Sequence, residues 1–173
     1  MQKRTTIAHR IAALAAGATV VAGSLLSMAT PAHAYITKPN VNVITKSTTN
    51  CWPCTYKDKI DNTYFQHDPG GRAVKMELKS ASGNAYLGKV EFHPLDELLY
   101  VYDTKNDNDA FYGTLQWYAS GRWQTRYFNA PATAKTVDMR KYNFSIPEGK
   151  EVDITLWDNS NETGYIGSAS GKA

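Results

Sequence analysis

The stretch RAVKMELKSASGNAYLGKVEFH, residues 72–93, decides the fold. Its first eight residues alternate between apolar and charged side chains, with Val74, Met76 and Leu78 on one face. Its last eight residues alternate in the same way. A period of two residues is typical of a β-strand that buries one face. The stretch therefore predicts two strands, each with one face toward an apolar core.

Short alternating or apolar runs continue along the rest of the chain. They cover residues 98–103, 110–118, 123–128, 150–158 and 163–170. Turn residues recur about every eight to twelve positions, which favours an antiparallel sandwich or barrel. No apolar stripe of helical period runs beyond about ten residues after position 34. We predict an all-β fold: a single antiparallel β-sandwich, Ig-like or Greek-key, of about seven to eight strands.

The first 34 residues have the organisation of an export signal. Lys3, Arg4 and Arg10 precede an apolar stretch over residues 11–28, which ends before Ala32-His33-Ala34. A small-x-small triplet of this kind is the pattern that signal peptidase cleaves. No basic stop-transfer cluster follows, so a permanent membrane span is the weaker alternative. We expect residues 1–34 to be removed and a secreted, extracellular protein without membrane attachment to begin at Tyr35.

Removal of the signal changes the charge of the protein. The whole chain has a formal net charge of +3 at pH 7, and residues 1–34 hold three basic and no acidic residues. The remaining chain therefore has 16 basic and 16 acidic residues. Nucleic-acid binding domains usually carry an excess of Lys and Arg. A neutral mature chain argues against a nucleic-acid partner.

Cys51 and Cys54 are the only cysteines, spaced as Cys-Trp-Pro-Cys. A redox-active pair needs its first cysteine at a helix N-terminus after a strand, and no βαβ pattern is present. A metal centre would need further ligands. Outside the cytoplasm, we expect the pair to form a structural disulfide.

The predicted organisation is a signal over 1–34, an extended arm over 35–54 ending in this loop, and a β-sandwich domain over 55–173.

The arm begins YITKPNVNVITKSTTN, residues 35–50, and holds no acidic residue. Its β-branched side chains and Pro39 suit an extended arm or an edge strand. Such a segment can add as a strand to the sheet of a partner, and a disordered leader is the alternative. The predicted partner-binding residues are Tyr35, Ile36, Pro39, Val41, Val43, Ile44 and Trp52.

Two further groups of residues are candidate ligand sites. Trp117, Trp123 and Tyr127 lie on one predicted hairpin and could form a platform for sugar rings, although alternation assigns at least half of the hairpin rings to the core. The acidic loop that holds Asp103, Asp107 and Asp109 is a weak calcium candidate. It lacks the EF-hand spacing, and turn composition explains it better. No metal or cofactor is predicted.

Catalytic motifs are missing from the sequence. It has no Gly-x-Ser-x-Gly elbow and no His-Glu-x-x-His pair, and the expected disulfide leaves no cysteine nucleophile. Carboxylate pairs for glycoside hydrolysis are defined by their separation in space, so the sequence leaves them open. We expect a binding protein rather than an enzyme, without thiol-disulfide oxidoreductase or hydrolase activity.

Two segments carry a resemblance to known proteins. GKVEFHPLDELLYVYDTKNDNDAFYGTLQW (88–117) and KTVDMRKYNFSIPEGKEVDITLWD (135–158) resemble small secreted actinobacterial β-sandwich proteins. Among these, the small adaptor subunit of umbrella toxin particles is similar in size, export, fold and extended N-terminal arm. The resemblance implies an adaptor that links a lectin-like subunit to a large toxin in interbacterial antagonism.

Three functions follow as hypotheses. The first is a non-enzymatic adaptor that binds other secreted proteins, such as toxin-complex subunits, through the arm and one sheet face. The second is an inhibitor that presents the Cys51–Cys54 loop to an extracellular hydrolase, since a closed loop loses little entropy on docking. The third is a carbohydrate-binding module that uses the hairpin aromatics.

Overall fold

The computed structural model describes residues 35–105, 110–133 and 135–173. Within these ranges, the chain forms eleven β-strands and one 3-10 turn at Leu95–Glu97. The strands are β1 (Asn40–Ser47), β2 (Cys54–Tyr56), β3 (Thr63–Phe65), β4 (Arg72–Lys79), β5 (Tyr86–His93), β6 (Leu98–Asp103), β7 (Tyr112–Ala119), β8 (Arg122–Asn129), β9 (Asp138–Asn143), β10 (Glu151–Trp157) and β11 (Tyr165–Lys172).

Nine strands form one antiparallel sheet that curls nearly into a barrel. Its order is β8-β7-β10-β11-β4-β5-β6-β9, and β1 pairs with β4 beside this path. The junction between β11 and β4 is one residue pair, Lys172 with Arg72. The sheet therefore has two parts, β8-β7-β10-β11 and β1-β4-β5-β6-β9. The predicted all-β antiparallel fold is confirmed.

The core fills the space between these two parts of the sheet. Val74, Met76 and Leu78 are fully buried, as their alternation predicts. Leu115 of β7 and Ile154 of β10 are fully buried in the same cluster, from the other part of the sheet. Burial of apolar surface contributes roughly 25 cal/mol per Å², so this shared core stabilises both parts together.

The N-terminal segment is extended, as predicted, and forms an edge of the sheet. All eight residues of β1 pair antiparallel with the eight residues of β4, from Asn40 opposite Lys79 to Ser47 opposite Arg72. The side chain of Val41 packs against the core and lies close to Gly167 of β11. The segment is thus a strand of this protein rather than a free arm.

Three of the eleven strands have no counterpart in the sequence prediction of seven to eight. They are β2, β3 and β9. The strands β2 and β3 are three residues long, and they form a separate hairpin. Strand β9 is longer, but both of its faces are largely exposed. A strand without a buried face has no reason to alternate apolar and polar residues, so its sequence carries no period of two.

Side chains connect the two free ends of the curled sheet. The Tyr142 hydroxyl of β9 accepts a hydrogen bond from the Asn129 backbone nitrogen of β8 and donates one to the Asn129 carbonyl, both at 3.0 Å. The Arg140 guanidinium donates to the Asn129 side-chain oxygen at 2.8 Å. The Tyr142 ring packs between Phe128 and Phe144. These contacts close the sheet where no backbone ladder does.

We expect Tyr142→Phe to lower the free energy of unfolding by about 1–2 kcal/mol, because it removes both hydroxyl hydrogen bonds across the closure. Urea unfolding followed by fluorescence measures the change. Tyr100→Phe is the matched control on the neighbouring strand β6, and we expect it to change stability by less than about 0.5 kcal/mol. Equal effects of the two substitutions would show that the closure does not contribute.

Candidate functional site

The outer surface of β8-β7-β10-β11 is rich in aromatic rings. Alternation and strand pairing bring six rings to this surface, which we call the aromatic face. Four of the rings have exposed fractions between 47% and 67%, and the other two are partly covered. The six residues are Tyr112, Tyr118, Trp123, Tyr127, Trp157 and Tyr165.

Hydroxyl and amide side chains fill the space between the rings. Thr155 of β10 lies opposite Thr114 on one side and Ser168 on the other. The Gln116 side chain donates a hydrogen bond to the Thr125 hydroxyl at 3.0 Å. None of the outward-facing residues of these four strands is aliphatic. The face therefore combines flat apolar rings with short hydrogen-bonding groups.

A cleft of about 250 Å³ lies at one end of the aromatic face. Tyr112, Tyr127 and Trp157 line it together with polar residues of the turn after β10, including Asn159 and Glu162. A hydrogen bond with the Glu162 side chain raises the pKa of the Tyr127 hydroxyl. The indole Nε1 of Trp157 is buried and has no hydrogen-bond partner among the described residues. The cleft thus combines aromatic rings with the carboxylate of Glu162, while the buried Asn159 side chain forms hydrogen bonds with Thr163 and holds the turn.

The structure separates the three predicted platform residues. Trp123 and Tyr127 are exposed to 60% and 67% on the aromatic face. Trp117 is only 3% exposed, and the Arg126 guanidinium lies 5.4 Å from the centre of its ring. Trp117 follows Gln116 by one position, so alternation turns it toward the core. It is therefore not part of a ligand platform.

The predicted partner-binding residues of the N-terminal segment divide in the same way. Tyr35 and Pro39 are buried, and Val41 and Ile44 are half-buried. The side chains that remain exposed are those of Ile36, Val43 and Trp52. Of the predicted set, these three side chains are the most accessible to another protein.

Cys51 and Cys54 form a disulfide, as predicted. Cys51 is fully buried in a small cluster with Phe65. Trp52, inside the loop, is 75% exposed, and its ring stacks on His67 at a centroid distance of 4.1 Å. The loop thus has a buried base and an exposed indole.

A buried charge cluster lies on the outer side of β4 and β5. Lys75 pairs directly with Glu91 across these strands, and Glu77 pairs with Lys89. Their alternation with apolar residues predicts that the charged residues of β4 and β5 lie on the side of these strands away from the core. The structure covers them: both lysines are fully buried and both glutamates are at most 7% exposed. Alternation has the same form whether the polar face meets water or other charges, so it carried no signal of this cluster.

Asp58 is the centre of the buried charge cluster. Its Oδ2 lies 2.9 Å from the Nζ atoms of both Lys75 and Lys89. Its Oδ1 accepts hydrogen bonds from the backbone nitrogens of Ile60 and Asn62 at 2.8 and 3.1 Å. Burial alone would raise the pKa of Asp58, but hydrogen bonds from the two lysines and from Ile60 hold it well below its usual value. Asp58 therefore stays ionised and holds its loop on the sheet.

Three carboxylates of this region, from Asp58, Asp61 and Glu91, lie within 4.8 Å of one another and resemble a metal site. The Lys89 ammonium is 2.9 Å from Asp58, 2.5 Å from Asp61 and 2.6 Å from Glu91. It occupies the place that a metal ion would take, so the cluster is an ion network of the protein itself.

The calcium candidate of the acidic loop gains no support. Asp103 is 4% exposed and accepts a hydrogen bond from the Lys105 backbone nitrogen at 2.8 Å. Its two expected companions, Asp107 and Asp109, lie outside the described residues.

Comparison of the chain with protein-family models, with curated proteins and with solved structures found no match. Across residues 35–105, 110–133 and 135–173, no helix has the length and apolar character needed to cross a membrane.

We expect Asp58→Asn to destabilise the fold by about 3–5 kcal/mol at pH 7, because it leaves two buried lysines without their shared carboxylate.

The substitution should also weaken the dependence of the free energy of unfolding on pH. The pKa values of Asp58, Glu77 and Glu91 are lowered in the fold. Their stabilisation is therefore complete above about pH 5 and declines as the pH falls further. Urea unfolding between pH 7 and pH 3 measures both effects.

The control is Asp96→Asn, which removes an exposed carboxylate where the backbone φ is 64°, a conformation that asparagine tolerates. We expect it to change stability by less than about 0.5 kcal/mol and to leave the pH dependence unchanged. An Asp58→Asn protein with the stability and acid profile of the native protein would contradict the assigned role of Asp58.

Proposed function

We propose that this protein is a secreted, non-enzymatic binding module that binds a saccharide on its aromatic face. The observation that carries the proposal is the composition of this face: exposed rings of Trp123 and Tyr127 beside threonine, serine and glutamine side chains. The disulfide between Cys51 and Cys54 is compatible with an extracellular location.

A pyranose ring has apolar faces made of C–H groups and an edge of hydroxyl groups. Aromatic side chains pack their flat surfaces against these apolar faces of the sugar. Tyrosine and tryptophan also carry a polar atom at the edge of the ring. Ligand sites combine such apolar walls with a few polar groups that fix orientation. The cleft beside Tyr127 and Trp157 provides this combination through Glu162.

The composition of the face also favours a saccharide over a protein as the ligand. The cores of protein interfaces are apolar, with aromatic residues and methionine enriched. The outward positions of β8-β7-β10-β11 hold hydroxyl groups between the rings instead of aliphatic side chains. Glycoside hydrolysis generally uses two carboxylates. Glu162 is the one carboxylate among the described residues that line the cleft, which supports binding without cleavage.

A protein-binding adaptor is the second candidate. The observation in its favour is a set of exposed apolar side chains that do not belong to the aromatic face: Ile36 is fully exposed, Trp52 is 75% exposed and Val43 is 41% exposed. The resemblance to the adaptor subunit of umbrella toxin particles points to the same function and remains a prediction. An inhibitor of an extracellular hydrolase would use Trp52 and its disulfide-closed loop.

Sedimentation with insoluble chitin, cellulose and bacterial cell wall tests saccharide binding. We expect the exported protein to be retained on at least one of them. Trp123→Ala and Tyr127→Ala should each weaken binding by about tenfold, since an aromatic contact residue contributes on the order of 1–2 kcal/mol. Tyr64→Ala removes a ring that is 50% exposed on β3, outside the aromatic face, and should bind like the native protein. Absence of retention on every polysaccharide would reject the saccharide.

A pull-down from culture supernatant tests the adaptor. If the adaptor hypothesis is correct, Trp52→Ala and Ile36→Ser should each lower the amount of a co-purifying secreted protein at least fivefold. Trp123→Ala, on the aromatic face, should retain it. Capture that is independent of Trp52 and Ile36 would reject the adaptor surface, and loss with Trp123→Ala alone would assign the protein partner to the aromatic face.

A further inference from the structure

Tyr35 is buried although it precedes the first strand. Its side chain is 9% exposed and belongs to the main core cluster. The Lys105 ammonium lies 4.9 Å from the centre of its ring. Its backbone nitrogen donates a hydrogen bond of 2.8 Å to Oδ1 of Asp158, and this contact is buried. Specific contacts therefore fix both the ring and the backbone nitrogen of Tyr35.

Asp158 is held firmly on the other side of this contact. It follows β10 directly and is 8% exposed. Its backbone nitrogen donates to the Gly164 carbonyl at 2.9 Å, which closes the turn between β10 and β11. A Cβ at Gly164 would lie 2.7 Å from the Asp158 Cβ, so the turn packs tightly against the aspartate. The turn between β10 and β11 thus holds the backbone of Asp158 in place.

The residues after Tyr35 keep the segment in place. The Lys38 ammonium lies 4.8 Å from the ring centre of Tyr165 on β11. Pro39 is buried, and the Asn40 side chain donates to the Ala81 carbonyl at 2.9 Å. Strand β1 begins at Asn40. Among the described residues, the Tyr35–Asp158 contact is therefore the first along the chain of several that attach β1 to the sheet.

The sequence independently marks the same nitrogen atom. The triplet Ala32-His33-Ala34 predicts cleavage between Ala34 and Tyr35, which converts the Tyr35 amide nitrogen into the α-ammonium group of the mature chain. We propose that Asp158 is the binding site for this α-ammonium group, so that removal of the signal completes the fold by forming a buried ion pair. The proposal rests on export, and it does not depend on what the aromatic face binds.

The physical consequence follows from the change in the nitrogen. An amide nitrogen offers one proton and no charge, whereas an ammonium offers three protons and a positive charge. Hydrogen bonds between ionised groups are roughly twice as strong as those between neutral groups. A buried carboxylate is also far less costly when a cation faces it. Any residue ahead of Tyr35 moves the positive charge away from Asp158, so a chain that begins at Tyr35 is the most stable one.

The experiment compares exported proteins with different first residues. One serine is inserted between Ala34 and Tyr35 in the full precursor, which leaves the cleavage triplet intact, and N-terminal sequencing identifies the first residue of each product. We expect the native product to begin at Tyr35 and the insertion to lower Tm by roughly 3–6 °C. In an Asp158→Asn background, the same insertion should change Tm by less than about 1 °C. Asp153→Asn, on the strand β10 that precedes Asp158, is the matched control and should keep the full effect of the insertion.

A second measurement does not require the Asp158→Asn protein to fold. Acylation of the α-amine by a succinimidyl ester, followed by mass spectrometry, should be at least tenfold slower in the native product than in the serine-extended product. A native product that starts at another residue, equal Tm values with and without the serine, an equal loss in the Asp158→Asn background, or equal acylation rates would each overturn the proposal. Saccharide binding by the native product is a separate result and tests the proposed function alone.

Discussion

The pairing of β4 with β5 is the interaction on which the rest of the structure depends. Its inner side supplies Val74, Met76 and Val90 to the apolar core. Its outer side carries lysines and glutamates in directly opposed pairs. These charges are stable when buried because Asp58 adds a carboxylate between the two lysines. A strand pair covered on both sides needs a balanced set of partners for every buried charge. The ion pairs and hydrogen bonds that meet this requirement attach residues 57–62 and the β2–β3 hairpin to the sheet.

The two parts of the sheet differ in what covers them, and this difference locates the candidate site. Within one part, the neighbouring strands β4 and β5 are buried on both faces. The part β8-β7-β10-β11 packs one face on the core and leaves the aromatic face in contact with water. Its edge strand β8 is joined to β9 through Tyr142 and Asn129 rather than through a ladder. A rigid scaffold with one open, ring-bearing face is well suited to bind a ligand without rearrangement.

Sequence patterns predicted this arrangement in some places and missed it in others, for identifiable reasons. Strands 72–79 and 150–158 were recognisable because each alternates apolar side chains on the core with polar side chains on its other face, whereas β9 is largely exposed on both faces and shows no alternation. Alternation divided the hairpin rings into two sets but did not say which set meets the core. Packing decided this point, with Trp117 buried and Trp123 exposed. The charges of β4 and β5 gave no sign of burial, since the residues that neutralise them lie about 15–30 positions earlier in the chain, near Asp58.

The sequence by itself determined the fold class and the disulfide between neighbouring cysteines, because each depends on local spacing, and spacing of the same kind predicts cleavage before Tyr35. Only the tertiary structure decided which rings are exposed, that the N-terminal segment is an edge strand on β4, and that Tyr35 contacts Asp158. These features join residues far apart in the chain, and the contact between Tyr35 and Asp158 spans 123 positions. Periodicity records which face a residue occupies along its own strand, but the partner of that face is chosen by packing in three dimensions.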